Sequence, residues 1–249
     1  MLKQLFEDLQ TAFQFLTRLP LRNVEFDPNS LSRSVKFFPV VGLAVGLAGA
    51  WLQRLLTPHL SRSLAALLVV AFFVLSTRGL HEDGLADAAD GFGGGWNREQ
   101  ILTIMRDSRI GSFGAIALAL SLLARFTLLS SLPANRFAPF VISAHVLCRW
   151  TTLPLSYFLP SARESEGQGA RIAQKTSLGA LLAGSGISLA IVAFVMRTTC
   201  WIPILAAAAV TLLSALYYGR RLGGVTGDCF GATNQLAEIA IYFCGVWNV

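Results

Sequence analysis

Asp83, Asp87 and Asp90 stand at i, i+4 and i+7 in a segment, 78–109, that reads RGLHEDGLADAADGFGGGWNREQILTIMRDSR. On a helix advancing about 100° per residue, the three carboxylates fall within about 60° of one another. Like charges at that spacing repel, so the pattern calls for a cation against it. Between them lie Gly84, Leu85, Ala86, Ala88 and Ala89, mostly small residues that leave room for another backbone or a ligand. Hard oxygen donors of this kind suit Mg²⁺, which takes a few carboxylates together with phosphate oxygens. Glu82 adds a fourth acid to the expected metal set, and His81 beside it is a candidate for steering substrate. The plainer alternative is a solvated acidic face, or one paired with Arg78, Arg98, Arg106 and Arg109. The small spacers and the absence of Lys in the segment favour a ligand.

The same segment carries the parts of an anion site. Gly91, Gly93, Gly94 and Gly95 form a run whose backbone N–H groups, Gly94 and Gly95 above all, can face a phosphate. Asn97 precedes Gln100 by three, a capping pair for a short helix over 98–107. Arg106 and Arg109, with Arg98 as the weaker third, are expected to clamp phosphate, since a guanidinium fork meets two oxygens at once. Asp107 is a further candidate for general base. A second cluster, Gly223, Gly224, Thr226, Gly227, Asp228 and Gly231, is read either as a helix cap or as part of the same site, with Asp228 as its binding residue.

These groups need a scaffold, and composition says which kind. Of 249 residues, 54% are hydrophobic and only 14% charged, against about 25% charged in soluble domains. A soluble globule and a disordered chain are both excluded; the expected fold is an all-α polytopic membrane bundle. Seven segments approach the 20 residues needed to cross the hydrocarbon: 37–56, 64–80, 110–132, 137–160, 178–196, 200–218 and 229–247. Residues 1–20 are expected to form an amphipathic interfacial helix, because Leu2, Leu5, Phe6, Leu9, Phe13 and Leu16 recur at helical spacing between Lys3, Glu7 and Asp8. No repeat or linker divides the chain, so 1–249 reads as a single domain. Cys148, Cys200, Cys229 and Cys244 lack metal-ligand spacing and read as small apolar residues.

With the N-terminus inside, fourteen of the 20 Lys and Arg lie on the inner side, including Arg22, Arg33, Lys36, Arg163, Arg171 and Lys175. Four lie outside, and Arg125 and Arg149 fall within spans. This is the bias that sets topology, so the net charge of +6 is no nucleic-acid footprint. No acidic residue falls in an outer loop, which places the chemistry on the cytoplasmic side. Glu238 and Arg149, each about 15 Å deep, are expected to face the interior and pair.

Residues 79–92 (GLHEDGLADAADGF) resemble the signature of the cobalamin synthase, or adenosylcobinamide-GDP ribazoletransferase, family. Two further blocks, 105–111 (MRDSRIG) and 224–232 (GVTGDCFGA), are similar to that family's in the same order, as is FLTRLP at 15–20. The resemblance implies an enzyme of the bacterial inner membrane that joins adenosylcobinamide-GDP to α-ribazole or its 5′-phosphate and releases GMP with Mg²⁺. It implies roles for Asp83, Asp87 and Asp90 on the metal, and leaves open association with itself or with other corrinoid enzymes. One departure is Gln235, where an acid is expected. Two other classes compete: a lipid phosphotransferase with a CDP-alcohol donor, whose Arg behind an Asp-Gly pair is missing here, and a cation transporter, whose acids would lie at the midplane.

Overall fold

The structure, a computed structural model, describes residues 2–19, 28–163, 172 and 176–247. Arg22, Arg171 and Lys175 of the inner-side charge, and Met1 and Pro20 at the ends of the first helix, lie outside the described residues. α1 (Leu2–Leu16) and α2 (Pro28–Ser34) lead through a 3₁₀ turn into α3 (Phe38–Leu56). α4 (Arg62–Ser76), α5 (Leu80–Gly94), the short α6 (Arg98–Ile104) and α7 (Ser112–Ser131) follow. α8 (Ala134–Trp150) runs on into α9 (Thr152–Phe158), and α10 (Leu178–Met196), α11 (Trp201–Leu222) and α12 (Gly227–Trp247) complete the chain. Among the described residues the isolated β-bridge is Ser161 to Val225.

Ser30–Leu56, Ser112–Ser131, Leu178–Thr199 and Trp201–Leu222 are long and apolar enough to cross a membrane. α4 and α5, bent by 85° where they meet, add a fifth crossing if they form one broken span. Leu120, Leu123, Leu182, Phe194, Leu205 and Leu213 are exposed on the outside of these helices. A helix that is apolar on its outer face as well as its inner one is built for lipid, and the chain is a multi-pass helical membrane protein. Of the seven expected segments, 37–56, 110–132, 178–196 and 200–218 lie in the four long helices. The 64–80 segment ends in the bent pair, 137–160 divides between α8 and α9 at Thr151, and 229–247 is diluted by Asn234, Gln235 and Glu238.

Three of the charges within the bundle gather on one guanidinium. Arg125 on α7 donates from Nη1 to Glu82 Oε1 at 2.6 Å and to Gln235 Oε1 at 3.1 Å, and its Nε lies 3.0 Å from Glu238 Oε1. Ser121 donates to the same Gln235 oxygen. Glu238 and Arg149 are both buried, as expected, but they do not form an ion pair with each other. Arg149 turns back along its own helix, with Nη1 2.9 Å from His145 Nδ1, while Glu238 is met by Arg125 from the neighbouring helix. Depth along a helix had suggested the pair; the direction each side chain leaves its helix decided otherwise.

At the N-terminus, buried Asp8 accepts from Lys36 Nζ at 2.9 Å and Arg33 Nε at 3.2 Å, tying α1 to α2 and to the 3₁₀ turn that follows it. Leu2 and Phe6 remain exposed on its opposite face. Cys148 and Cys229 are buried, Cys200 and Cys244 half-buried, and all four are free thiols.

Candidate active site

The 85° turn from α4 to α5 is made at Arg78 and Gly79, with φ of 59° and 67°. From there α5 runs alongside α7, with Glu82 at its start against Arg125 and Asp90 near its end against the first turn of α7. Residues 78–109 are therefore mostly helix laid into the bundle rather than an open loop. α5 packs just as closely on α12. A Cβ at Gly84 would sit 3.2 Å from the Asp228 Cα and carbonyl oxygen and from the Gly231 Cα. The small residues noted between the acids thus serve backbone contact, and that contact carries Asp228 to the acidic helix.

The face of three aspartates divides. Asp83 is exposed and Asp87 half-buried, both lining a cavity of about 700 Å³ with Arg78, Ser108 and Gln14. Asp90 is buried, and its Oδ2 and Oδ1 accept from the Gly111 and Gly114 N–H groups at 2.7 and 2.8 Å. Both of its oxygens therefore serve the orphan amides at the start of α7. Glu82 is held by Arg125, which it shares with Glu238. Two of the four expected metal ligands are thus engaged elsewhere, because a neighbouring helix end and a buried guanidinium compete for them.

A second cavity, about 220 Å³, lies on the other side of Asp83. His81, Asp83, Thr152, Ser161, Arg163, Thr226 and Asp228 supply its polar lining, and Phe38, Ile172 and Phe230 belong to its apolar wall. Phe15, Leu80 and Asp83 line both cavities. Asp228 accepts from Arg163 Nη2 at 3.0 Å and from the Thr226 hydroxyl at 3.2 Å. Thr226 also caps α12 by accepting from the Cys229 N–H. Thr226 thus makes the expected cap, and Asp228 lines the cavity beside Asp83. Arg163, noted in the sequence only as inner-side charge, is brought here by a backbone clasp. Ala162 N–H donates to the Val225 carbonyl at 2.8 Å and Val225 N–H to the Pro160 carbonyl at 2.9 Å. A Cβ at Gly224 would overlap that Pro160 oxygen.

The basic and glycine-rich parts are mostly architectural. Asn97 accepts from the Gln100 N–H and Gln100 accepts from the Trp96 N–H, the expected cap, although the helix ends at Ile104. Arg98 donates to the Leu222 and Ala162 carbonyls at 2.9 and 2.8 Å, and Arg221 to the Gly95 carbonyl, so these guanidiniums brace backbone rather than a phosphate. A Cβ at Gly95 would strike Ile101, and one at Gly94 would lie 3.3 Å from Ile104, so the run packs on α6. Arg109 is held by Asp107 at 2.7 Å, on the surface. Its hydrogen bonds pull the Asp107 carboxyl down to about 2 and raise the Arg109 guanidinium, which makes Asp107 a poor proton acceptor. Arg106 is exposed and does not line either cavity.

Among the described residues, the trio of metal-type donors lying within 4.8 Å of one another is His145, Cys148 and Glu238, deep in the bundle. Arg149 contacts two of them and Arg125 the third, so cations already occupy that position. The cleft acids form no such closed trio. They present a more open edge, suited to an ion that keeps water and substrate oxygens.

The acids on α5 and the Gly-Asp turn that opens α12, the two sides of this cleft, come from the first and third of the sequence blocks. The family model for cobalamin-5-phosphate synthase matches residues 8–246. The chain belongs to the cobalamin-5-phosphate synthase family. It is 36% identical over 272 residues to an adenosylcobinamide-GDP ribazoletransferase of Polaromonas sp. strain JS666, covering 97% of this chain and 96% of the relative. It is 38% identical over 252 residues to that of Mesorhizobium japonicum (96% and 92% covered), and 37% over 258 residues to that of Ralstonia nicotianae (96% and 95%). No solved structure matches. Arg125 and Arg163 are the residues that the structure adds to those singled out in the sequence. An arginine within a span, and one a few residues past a span's inner end, were the signals available.

Proposed function

We propose that the cleft between α5 and α12 is the active site of an Mg²⁺-dependent adenosylcobinamide-GDP ribazoletransferase. The observation that carries this reading is the placement of Asp83 on the wall common to two cavities of unequal size. A reaction joining a bulky nucleotide-linked donor to a smaller nucleoside acceptor needs two compartments that meet at one reacting centre. The larger cavity suits the donor's diphosphate and the smaller one the acceptor.

Asp83 and Asp87 are the residues to hold the ion. They fit it because two carboxylates with the substrate's phosphate oxygens satisfy the usual Mg²⁺ shell. When bound, the ion supplies charge stabilisation on the phosphoryl oxygens. The acceptor's ribose hydroxyl attacks the phosphorus nearer the cobinamide, the P–O bond to GMP breaks, and GMP departs. Asp228 is the carboxylate placed in the smaller cavity to accept the hydroxyl proton, and Arg163 beside it keeps that carboxylate oriented. The remainder of the catalysis is positioning in a cleft of fixed dipoles.

In the same proposal the protein lies in the bacterial inner membrane with its N-terminus and cleft on the cytoplasmic side. The chain crosses seven times, counting α4 with α5, α8 with α9, and α12. The exposed Leu2 and Phe6 of α1 support an interfacial helix. The test is purified protein with Mg²⁺, adenosylcobinamide-GDP and α-ribazole 5′-phosphate. GMP release in step with corrinoid product, lost with a chelator and restored by Mg²⁺, is the expected result. Absence of both products under these conditions overturns it.

A further inference from the structure

We infer that Arg163 binds the phosphate of the acceptor nucleotide, in the smaller cavity, an assignment that deepens the functional reading above and rests on it. The cavity offers the three things such an acceptor needs. Phe38, Phe230 and Ile172 give an apolar wall for an aromatic base. Asp83 and Asp228 stand where a ribose hydroxyl would meet the donor. Arg163 is the one Lys or Arg among its described lining residues.

The state of the guanidinium supports a missing partner. Nη2 serves Asp228 at 3.0 Å, but Nε is buried and, among the described residues, has no hydrogen-bond partner. An arginine carries five N–H donors, and leaving a buried one unpaired is unfavourable. A phosphate presents the pair of oxygens that the planar fork is shaped to meet. The segment that carries Arg163 is also held firmly, by the two Val225 hydrogen bonds and by Arg98 donating to the Ala162 carbonyl. A residue that only neutralised the acids would not need such bracing. The donor's phosphates fall to the other compartment, which has its own arginine, Arg78.

The test uses the full-length protein in detergent or nanodiscs with Arg163→Gln and Arg163→Lys. KM is measured for the phosphorylated acceptor, for its dephosphorylated form and for the donor. Arg163→Gln is expected to raise KM for the phosphorylated acceptor about 10- to 100-fold, the loss of one or two charge-assisted hydrogen bonds. kcat falls alike for both acceptors, since Asp228 loses the guanidinium that orients it, while donor KM and the dephosphorylated acceptor's KM stay within about twofold because neither contact involves that phosphate. Arg163→Lys, which keeps the charge and loses the fork, falls between and guards against a folding defect in the Gln variant. A donor KM that rises in parallel, an equal rise in KM for the two acceptors, or no change of KM in either variant overturns the assignment. Wild-type protein that releases no GMP overturns the functional reading and this inference with it.

Discussion

Arg125 Nη1 stands 2.6 Å from Glu82 Oε1, with both side chains buried inside the bundle. The relationship makes Glu82 a structural anchor of α5 and leaves Asp83, the next residue, to face the cleft. Arg125→Ala is expected to lower stability by about 3–5 kcal/mol, the usual result of stranding a buried charge. Thermal unfolding in detergent measures it. A double cycle with Glu82→Gln should show coupling above about 1 kcal/mol; additive losses would mean the two do not act together.

Asp83→Asn and Asp87→Asn are each expected to reduce kcat by about 100-fold or more while the melting temperature holds, since both side chains line the cleft and, among the described residues, hold no hydrogen bond or ion pair. GMP release and unfolding on the same preparations decide it. Near-normal turnover from both variants would remove these carboxylates from the chemistry.

Asp90 should behave differently from its two neighbours on α5. Its carboxylate caps the first turn of α7 through two N–H groups, so Asp90→Ala is expected to lower stability by about 1–3 kcal/mol. An Asp90→Ala protein with unchanged melting temperature and no activity would instead place Asp90 among the metal ligands.

The acid limb of the pH profile gives a further check. Arg109 holds the Asp107 carboxyl at about 2, so Asp107 is ionised throughout the working range and has no proton to exchange there. In Asp107→Asn, the pH dependence of kcat/KM between about pH 6 and 9 is expected to keep its shape. A limb that disappears in this variant would restore Asp107 as general base.

Gly84→Val tests the contact between α5 and α12. A branched side chain there meets Asp228 and Gly231 backbone, which cannot yield as a flexible side chain would. A loss of about 1–3 kcal/mol is expected, with a fall in kcat that Gly84→Ala shows in milder form. A Gly84→Val enzyme of normal stability and rate would show that the helices need not approach so closely.

What could be read from the residues was what depends on neighbours in the chain. The apolar runs at 178–196 and 200–218 announce spanning helices by composition alone, and Asn97 with Gln100 announces a cap. The pair Asp83 and Asp87 was legible for the same reason: four residues apart on a helix is one face wherever that helix sits. Asp90 was grouped with them by the same arithmetic, yet the start of α7, 21 residues later, claims it. Arg163 meets Asp228 across 65 residues, and Arg98 the Leu222 carbonyl across 124. No local period encodes such meetings, since they depend on how helices rotate and cross in the assembled bundle.

The anchored arginine also bears on how the chain is made. Glu82 precedes Arg125 by 43 residues, so at roughly 5–20 residues per second the carboxylate leaves the ribosome only seconds ahead. When the nascent α7 enters lipid, a counter-ion is therefore already at hand, and Glu238 arrives last, as a second carboxylate on the same guanidinium. Translation order thus spares the lone guanidinium a wait in hydrocarbon, and transplanting α5 to the C-terminus by circular permutation would take that protection away.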